Sequence, residues 1–231
     1  MAAYLRRSGA ALGLLLCLIG VLSGCGGQSG PPPVATIAAA ALPADWQRIE
    51  LPQTRLALPP QWAVTAAEDV DLSGAIEEAA AQNPQLQALL RSGQADLAAG
   101  AIELIAYDLD PANLGETTYP TNIRIGRQSY PQPPALTAVS DVNEQDLKGN
   151  ASFRDVERAP VELSGRPATR LRSKLQINDS TGNPLALALE QYLLIDGNDV
   201  YIITFTMPEQ QQTRYRSIFD QILATLQFDP A

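Results

Sequence analysis

The sequence contains no histidine. Without an imidazole, the chain has no Ser-His-Asp or Cys-His catalytic set, no histidine-ligated zinc site and no side chain that ordinarily titrates near neutral pH. It also lacks the glycine-rich patterns of phosphate and dinucleotide binding, and the carboxylate spacing of an EF-hand. These absences favour a protein that is not an enzyme and that uses no cofactor.

Cysteine is also scarce. The chain has two, Cys17 and Cys25, and both lie close to the start of the sequence. If residues 1–24 are removed during secretion, only Cys25 is left, and no pair of thiols exists for a disulfide, a redox couple or a metal site.

The first 24 residues have the three parts of a secretory signal peptide. Arg6 and Arg7 supply positive charge, residues 10–22 form a short apolar run, and small residues follow. The motif Leu22-Ser23-Gly24-Cys25 resembles the lipobox of bacterial lipoproteins, in which the cysteine is lipidated and becomes the new N-terminus. The sequence therefore predicts lipidation at Cys25 and extracytoplasmic membrane anchoring. The alternatives are an ordinary signal peptide and a single N-terminal membrane anchor.

The chain is acidic, with 16 basic and 25 acidic residues. Loss of residues 1–24 removes two arginines and no acid, so the net charge moves from −9 to −11. Nucleic acid and anionic lipid surfaces repel such a domain. We therefore expect no nucleic-acid partner, and we expect the lipid to supply the membrane affinity.

After the lipidated cysteine, residues 25–43 are rich in Gly, Pro and Ala and predict a flexible spacer. Residues 44–231 predict a single domain. Within it, residues 68–100 are Ala-rich, and Asn83-Pro84 is typical of a helix start. This segment predicts short helices between regions of strand.

The clearest elements lie near the end of the chain. Residues 185–195 and 200–207 predict a hairpin whose strands are apolar on both faces, as in strands that are covered on both sides. Residues 209–228 predict an amphipathic helix. The fold class is therefore α+β: a mostly antiparallel sheet with helices on both faces.

Three segments resemble motifs of the PsbP-like superfamily. Leu58-Pro59-Pro60-Gln61-Trp62 is similar to its "L-P-x-G-W" motif, although Gln61 replaces the usual glycine. Gly165-Arg166-Pro167-Ala168 is similar to its "G-x-P-A" hairpin, and residues 201–208 with 219–228 to its closing strand and helix. The resemblance implies an α/β/α sandwich and an accessory or binding role. Residues 68–100 depart from the pattern and suggest a helical insertion.

Two charged clusters are candidate sites. Asp108, Asp110 and Glu116 could hold a hard cation through oxygen, or they could be solvated residues at a strand end. Arg166, Arg170, Arg172 and Lys174 could bind an acidic partner. Alternatively, they could protect a sheet edge from pairing.

The apolar residues of the insertion are a third candidate. Leu86, Leu89 and Leu90 could form a partner surface, or they could simply cover one face of the sheet.

These observations predict a lipid-anchored, non-enzymatic accessory module that assists an envelope or membrane-surface complex. The first alternative is a lipoprotein that binds a small or apolar ligand in the cleft between sheet and helices. The second is a hydrolase that uses carboxylates alone.

Overall fold

The computed structural model describes residues 34–41, 43–66, 84–100, 102–114, 119–178 and 182–228, without the side chains of residue 66 and residues 84–90. The strands are β1 (Ala35–Ile37), β2 (Gln47–Glu50), β3 (Thr54–Leu58), β4 (Trp62–Ala66), β5 (Leu104–Asp108), β6 (Asn122–Ser129), β7 (Phe153–Leu163), β8 (Arg166–Asn178), β9 (Pro184–Asp196), β10 (Asp199–Pro208) and β11 (Gln227–Phe228). The helices are α1 (Pro84–Ala98), α2 (Pro111–Leu114), α3 (Leu136–Gly149) and α4 (Gln212–Thr225), with a 3-10 turn over Glu209–Gln211.

Eight strands form one sheet in the order β1-β7-β8-β9-β10-β6-β5-β4. Only β1 and β7 run parallel among these pairs. The centre of the sheet is the predicted hairpin of β9 and β10. Its turn begins at Gly197, whose φ of 58° matches a two-residue type II′ turn. The prediction of a mostly antiparallel sheet is confirmed.

One face of this sheet packs against α4, and we call it the α4 face. Tyr192, Tyr201 and Phe205 project from it and pack with Tyr215 and Phe219 of the helix. A small sheet in the order β11-β3-β2 contributes Leu56, Leu58 and Phe228 to the same core.

The opposite face packs against α3, and we call it the α3 face. Leu189, Leu193 and Val200 project from β9 and β10 towards Val139 and Leu147 of α3. Because side chains alternate along a strand, the two strands supply both cores. Helices therefore cover both faces, as the sequence predicts.

Helix α1 also lies on the α3 face, over β5. A Cβ atom on Gly93 would lie 2.8 Å from Ile105 Cδ1 and 2.8 Å from Tyr107 Oη, so a larger residue there would have to displace the ends of these side chains. Leu97, one turn further on, is buried. The helix begins at Pro84, where the sequence predicts a helix start. Residues 67–83 of the insertion lie outside the described residues.

The last helix is shorter than predicted. It ends at Thr225, whose hydroxyl accepts a hydrogen bond from Ala57 N (2.9 Å) and donates one to Ile222 O (2.7 Å). The chain then extends, and Gln227–Phe228 pairs with β3. The prediction of helix over these last residues is wrong because a side chain at the helix end fixes it to a neighbouring strand.

The predicted spacer also needs correction. Ala35–Ile37 form β1, paired with β7 at the sheet edge. Ser164 N donates to Ile37 O (3.0 Å), and Ala40 N donates to Ala224 O (2.7 Å). The segment has few large apolar residues, so its composition does not predict a strand. It forms one because the edge of β7 offers unpaired backbone groups. The folded part therefore begins before residue 44.

Candidate functional site

The predicted lipidation site, Cys25, lies outside the described residues. None of the helices within the described ranges is both long and apolar enough to cross a membrane.

The candidate metal ligand Asp108 has a structural role in this fold. Its side chain is buried, and one carboxylate oxygen accepts hydrogen bonds from Tyr215 Oη (2.6 Å) and Asn113 Nδ2 (2.8 Å). These contacts join the end of β5 to α4 and to α2. Burial and the hydrogen bond to Asp108 raise the pKa of Tyr215, so this phenol keeps its proton as a donor.

Asp110 points elsewhere. Its carboxylate accepts a hydrogen bond from Ala112 N (2.9 Å) at the start of α2, as an N-cap residue does. Glu116 lies outside the described residues. No group of three candidate metal ligands occurs in the described part of the chain.

The basic residues of β8 do share one face, as predicted, but they do not protect a sheet edge. Strand β8 lies between β7 and β9, so the edge-protection hypothesis for Arg166, Arg170, Arg172 and Lys174 is wrong. The row lies on the α4 face, because Arg170 is directly opposite Tyr192, a residue of that core.

Acidic side chains already pair with this row. Glu190, which is buried, accepts two hydrogen bonds of 3.1 Å from Arg172 and lies 3.9 Å from Arg170. Arg166 pairs with Asp196, and Lys174 lies 2.9 Å from Glu209 and 3.4 Å from Asp155. Partial burial opposes the charge on Arg172, but the hydrogen bond and the charge of Glu190 raise its pKa. A row neutralised in this way is a weak anion site.

The leucines of the insertion belong to α1, whose backbone is described. The side chains of Leu86, Leu89 and Leu90 lie outside the described residues.

The α3 face holds a cleft of about 470 Å³ that sequence reasoning did not locate. Its floor is a polar row across three neighbouring strands: Gln191 of β9 lies opposite Thr204 of β10, which lies opposite Arg124 of β6. Gln191 Nε2 donates to Thr204 Oγ1 (3.3 Å). The volume falls within the range of about 300–1,000 Å³ that is usual for small-molecule sites.

Apolar side chains surround this polar floor. They come from α3, from strands of the sheet and from the loop before β5: Ile102, Leu147, Phe153, Leu175, Leu189 and Ile202. Gly126 leaves part of the floor without a side chain. The cleft therefore combines an apolar wall with a few convergent polar groups, which is the usual composition of a ligand site.

One buried polar atom in the cleft lacks a partner. Gln191 Oε1 is inaccessible to solvent and accepts no hydrogen bond from the described residues. An unmet buried acceptor costs about 1–3 kcal/mol, and six other buried side-chain atoms of the described residues are also without a partner there.

One end of the cleft is formed by Arg124 and Tyr119. Arg124 pairs with Asp96 of α1 at 3.4 Å, and Tyr119 lies beside it in the cleft lining. Tyr119 Oη accepts a hydrogen bond from Asn122 Nδ2 (3.3 Å), which leaves its own proton available. Burial raises the pKa of Tyr119, so the phenol remains a neutral donor.

The signal for this cleft is present in the sequence but weak. Gln191, Thr204 and Thr206 project to the α3 face, where they interrupt the apolar residues of β9 and β10. Arg124 joins them only through the pairing of β6 with β10, which the sequence does not specify.

Similarity to known proteins lies in the fold. No protein-family model and no curated protein sequence matches the chain. The solution structure of cyanobacterial PsbP (CyanoP) from Synechocystis sp. PCC 6803 is similar, with a TM-score of 0.50 and 12% identity over 83% of this chain and 96% of that chain. The fold is therefore PsbP-like.

Two further structures show weaker similarity. LpqN, involved in cell envelope biogenesis of Mycobacterium tuberculosis, has a TM-score of 0.46 and 11% identity over 80% of this chain and 91% of that chain. PA94 from Pseudomonas aeruginosa, a protein of unknown function, has a TM-score of 0.41 and 20% identity over 48% of this chain and 75% of that chain.

Proposed function

We propose that this protein is a lipid-tethered, extracytoplasmic accessory module that assists an envelope or membrane-surface complex by binding rather than by catalysis. The observation that carries the proposal is the position of β1 relative to the lipobox. In the sequence, residues 26–34 separate Cys25 from β1, the first strand within the described residues. If this segment behaved as a flexible coil it would reach about 17 Å, so the lipid would hold the domain close to the membrane surface.

The lack of histidine supports binding over catalysis, because the usual general base is missing. The buried carboxylates of Asp108 and Glu190 are occupied by structural partners, which are Tyr215 and Arg172 respectively. A carboxylate-only hydrolase would need two free carboxyl groups facing one cleft. The cleft on the α3 face contains no carboxylate among the described residues of its lining.

The partner surface is a second part of the proposal. The basic row of β8 is already paired with acidic side chains, so it offers little unsatisfied charge. Helix α1 departs from the family pattern and carries Leu86, Leu89 and Leu90. We therefore place the partner surface on the insertion rather than on β8.

The tether is tested by Cys25→Ala. The variant should remain as an uncleaved precursor of larger mass and incorporate no labelled palmitate, because the residue that takes the lipid is missing. Mass spectrometry and labelling of cells measure these two properties. Cys17→Ala is the matched control and should be processed normally. Normal processing of Cys25→Ala would contradict the proposal.

A further inference from the structure

We propose that one edge of the domain lies on the lipid bilayer. This surface, which we call the tether edge, joins the start of β1 to β7 and to the outer side of α3, and it contains Val34, Leu136, Val142 and Pro160. The proposal rests on the lipid tether proposed above. It adds one fixed orientation of the domain, in which α3 faces the membrane and α4 faces away from it.

The first argument is the place where the chain enters the fold. Pairing of β1 with β7 begins at Ala35, so Val34 lies between the sheet and the predicted tether. If residues 26–34 behaved as a flexible coil, they would keep the start of β1 within about 17 Å of a lipidated Cys25. The surfaces beside Val34 would therefore meet the bilayer at a high effective concentration, and a protein partner would have to displace it from them.

The second argument is exposed apolar surface. Among the large apolar side chains of the described residues, Val34 and Val142 are exposed, by 52% and 58% respectively. A single exposed valine is ordinary, but Val34 also lines an open groove of about 500 Å³. Apolar side chains form most of the lining of this groove: Val34, Leu136, Pro160, Val161, Pro167 and Ala168. A continuous apolar surface of this kind is typical of a contact with a protein or a membrane.

The third argument is that the groove and Val142 belong to one surface. Arg158 lines the groove, and its Nη1 atom lies 2.5 Å from Asp141 Oδ1 and 3.3 Å from Glu144 Oε2 of α3. Asp141 immediately precedes Val142 in the helix. Ala138, one turn before Val142, is also exposed. The apolar surface therefore continues from the groove along the outer side of α3.

The fourth argument is charge. Arg158 is paired with Asp141 and Glu144, and Lys148 lies 2.6 Å from Glu144, so these basic side chains already have acidic partners. The chain is acidic overall, and an anionic lipid surface repels it. Contact through the tether edge is therefore apolar rather than electrostatic, and a zwitterionic bilayer suits it better than an anionic one.

The test uses the lack of cysteine in the domain. After removal of residues 1–24 and lipidation of Cys25, a single introduced cysteine is the only thiol that can be labelled. Val142→Cys and Ser217→Cys each receive a fluorescent label. The full lipoprotein is then placed in phosphatidylcholine vesicles that contain a doxyl-labelled lipid as the quencher. Ser217 is the matched control, because it is an exposed residue of α4 on the other side of the sheet.

The label at Val142 should be quenched at least about threefold more strongly than the label at Ser217, because an apolar surface bound to a membrane lies about 5–10 Å inside the headgroup boundary. A second readout places the label at Ala138→Cys. Adding Val142→Glu should then lower the quenching towards the Ser217 level, since burying a charge is costly, whereas adding Ser217→Glu should leave it unchanged. Phosphatidylglycerol in the vesicles should reduce quenching at Val142.

Three results would overturn the proposal. Equal quenching at Val142 and Ser217 would show that the domain has no fixed orientation on its tether. Stronger quenching in vesicles with phosphatidylglycerol would show that the contact is electrostatic. A label at Val142 that is protected from iodide in water but not quenched by lipid, increasingly so at higher protein density, would show that a second copy of the chain covers the surface.

Failure of the tether itself is recognised separately. Mass spectrometry of the same preparation shows whether Cys25 carries a lipid. If it carries none, the proposed tether is wrong, and the orientation is tested on the chain from residue 26 with an N-terminal hexahistidine tag held by a nickel-chelating lipid. The same difference between Val142 and Ser217 is expected, because the tag anchors the chain at the same point, and its absence would overturn the assignment of the tether edge.

Discussion

The two faces of the central sheet differ in how completely they are covered. On the α4 face, aromatic side chains form a continuous core, in which Phe205 stacks on Phe219 with ring centroids 4.1 Å apart. Charged residues beside this core are paired with one another. On the α3 face, a cleft with a polar floor lies beside α3.

The difference indicates a division of roles between the faces. A face with a closed aromatic core and paired charged residues contributes mainly to stability, whereas an open cleft with a polar floor is available for a ligand. Perturbing the α4 face should therefore reduce the free energy of unfolding. Substitutions in the lining of the cleft should change binding more than stability.

The largest effect is expected on the α4 face. Phe219 is 3% exposed and contacts both Phe205 and Tyr215. Phe219→Ala should lower the free energy of unfolding by about 3–5 kcal/mol, because it removes an aromatic ring and leaves a cavity. Urea denaturation of the Phe219→Ala variant and of the original protein measures the difference in the free energy of unfolding.

The control for this prediction lies on the other face. Val142 of α3 is 58% exposed, so Val142→Ala should change the free energy of unfolding by less than about 0.5 kcal/mol. Comparable losses in the two variants would mean that Phe219 does not lie in a packed core.

A smaller effect is expected from Gly93 of α1. A methyl group there meets Ile105 and Tyr107 at 2.8 Å, so Gly93→Ala should push the helix away from β5 and destabilise the protein by about 1–3 kcal/mol. The gain in helix propensity, about 1 kcal/mol, opposes this loss without cancelling it. Thermal unfolding of the Gly93→Ala variant and of the original protein measures the net change in stability.

Gly149 provides the matched control for Gly93. It ends α3, and a Cβ there meets no atom within 4 Å. Gly149→Ala should therefore be neutral or slightly stabilising, by up to about 1 kcal/mol. If both variants gain stability, the close approach of α1 to β5 is not a real constraint.

The sequence was sufficient to predict elements whose pattern is local. The hairpin of β9 and β10 and the helix α4 are recognisable because their apolar residues follow the periods of a strand and of a helix. Both faces of β9 and β10 are apolar, so the need for helices on each side also followed.

The elements that sequence reasoning missed depend on contacts between distant segments. The strand β11 exists because Thr225 binds Ala57, and β1 exists because the edge of β7 is open to it. The cleft depends on the register that places Arg124 opposite Thr204. None of these pairings has a periodic signal along the chain.

The smallest effect concerns charge on the α4 face. Burial, and then the negative charge of Glu190, raise the pKa of Asp220 above its ordinary value of 3.8, although Arg216, Arg172 and Arg170 oppose the shift. The folded protein therefore binds this proton more tightly than the unfolded chain does. As the pH rises from 3.8 through the folded pKa, the folded state loses stability, and the loss persists at neutral pH.

Asp220→Asn removes this titration. Since the side chain is exposed, we expect only a small gain in the thermal midpoint near pH 7, equivalent to less than about 0.5 kcal/mol. Below pH 3.8 the carboxyl group is protonated in both states, so the difference between the variant and the original protein should vanish. Thermal unfolding of the variant and of the original protein, near pH 7 and below pH 3.8, measures the difference in thermal midpoint under each condition. A variant that is less stable near pH 7 would contradict this prediction. It would show that the attraction between Asp220 and the neighbouring arginines outweighs both the repulsion from Glu190 and the cost of burying the charge.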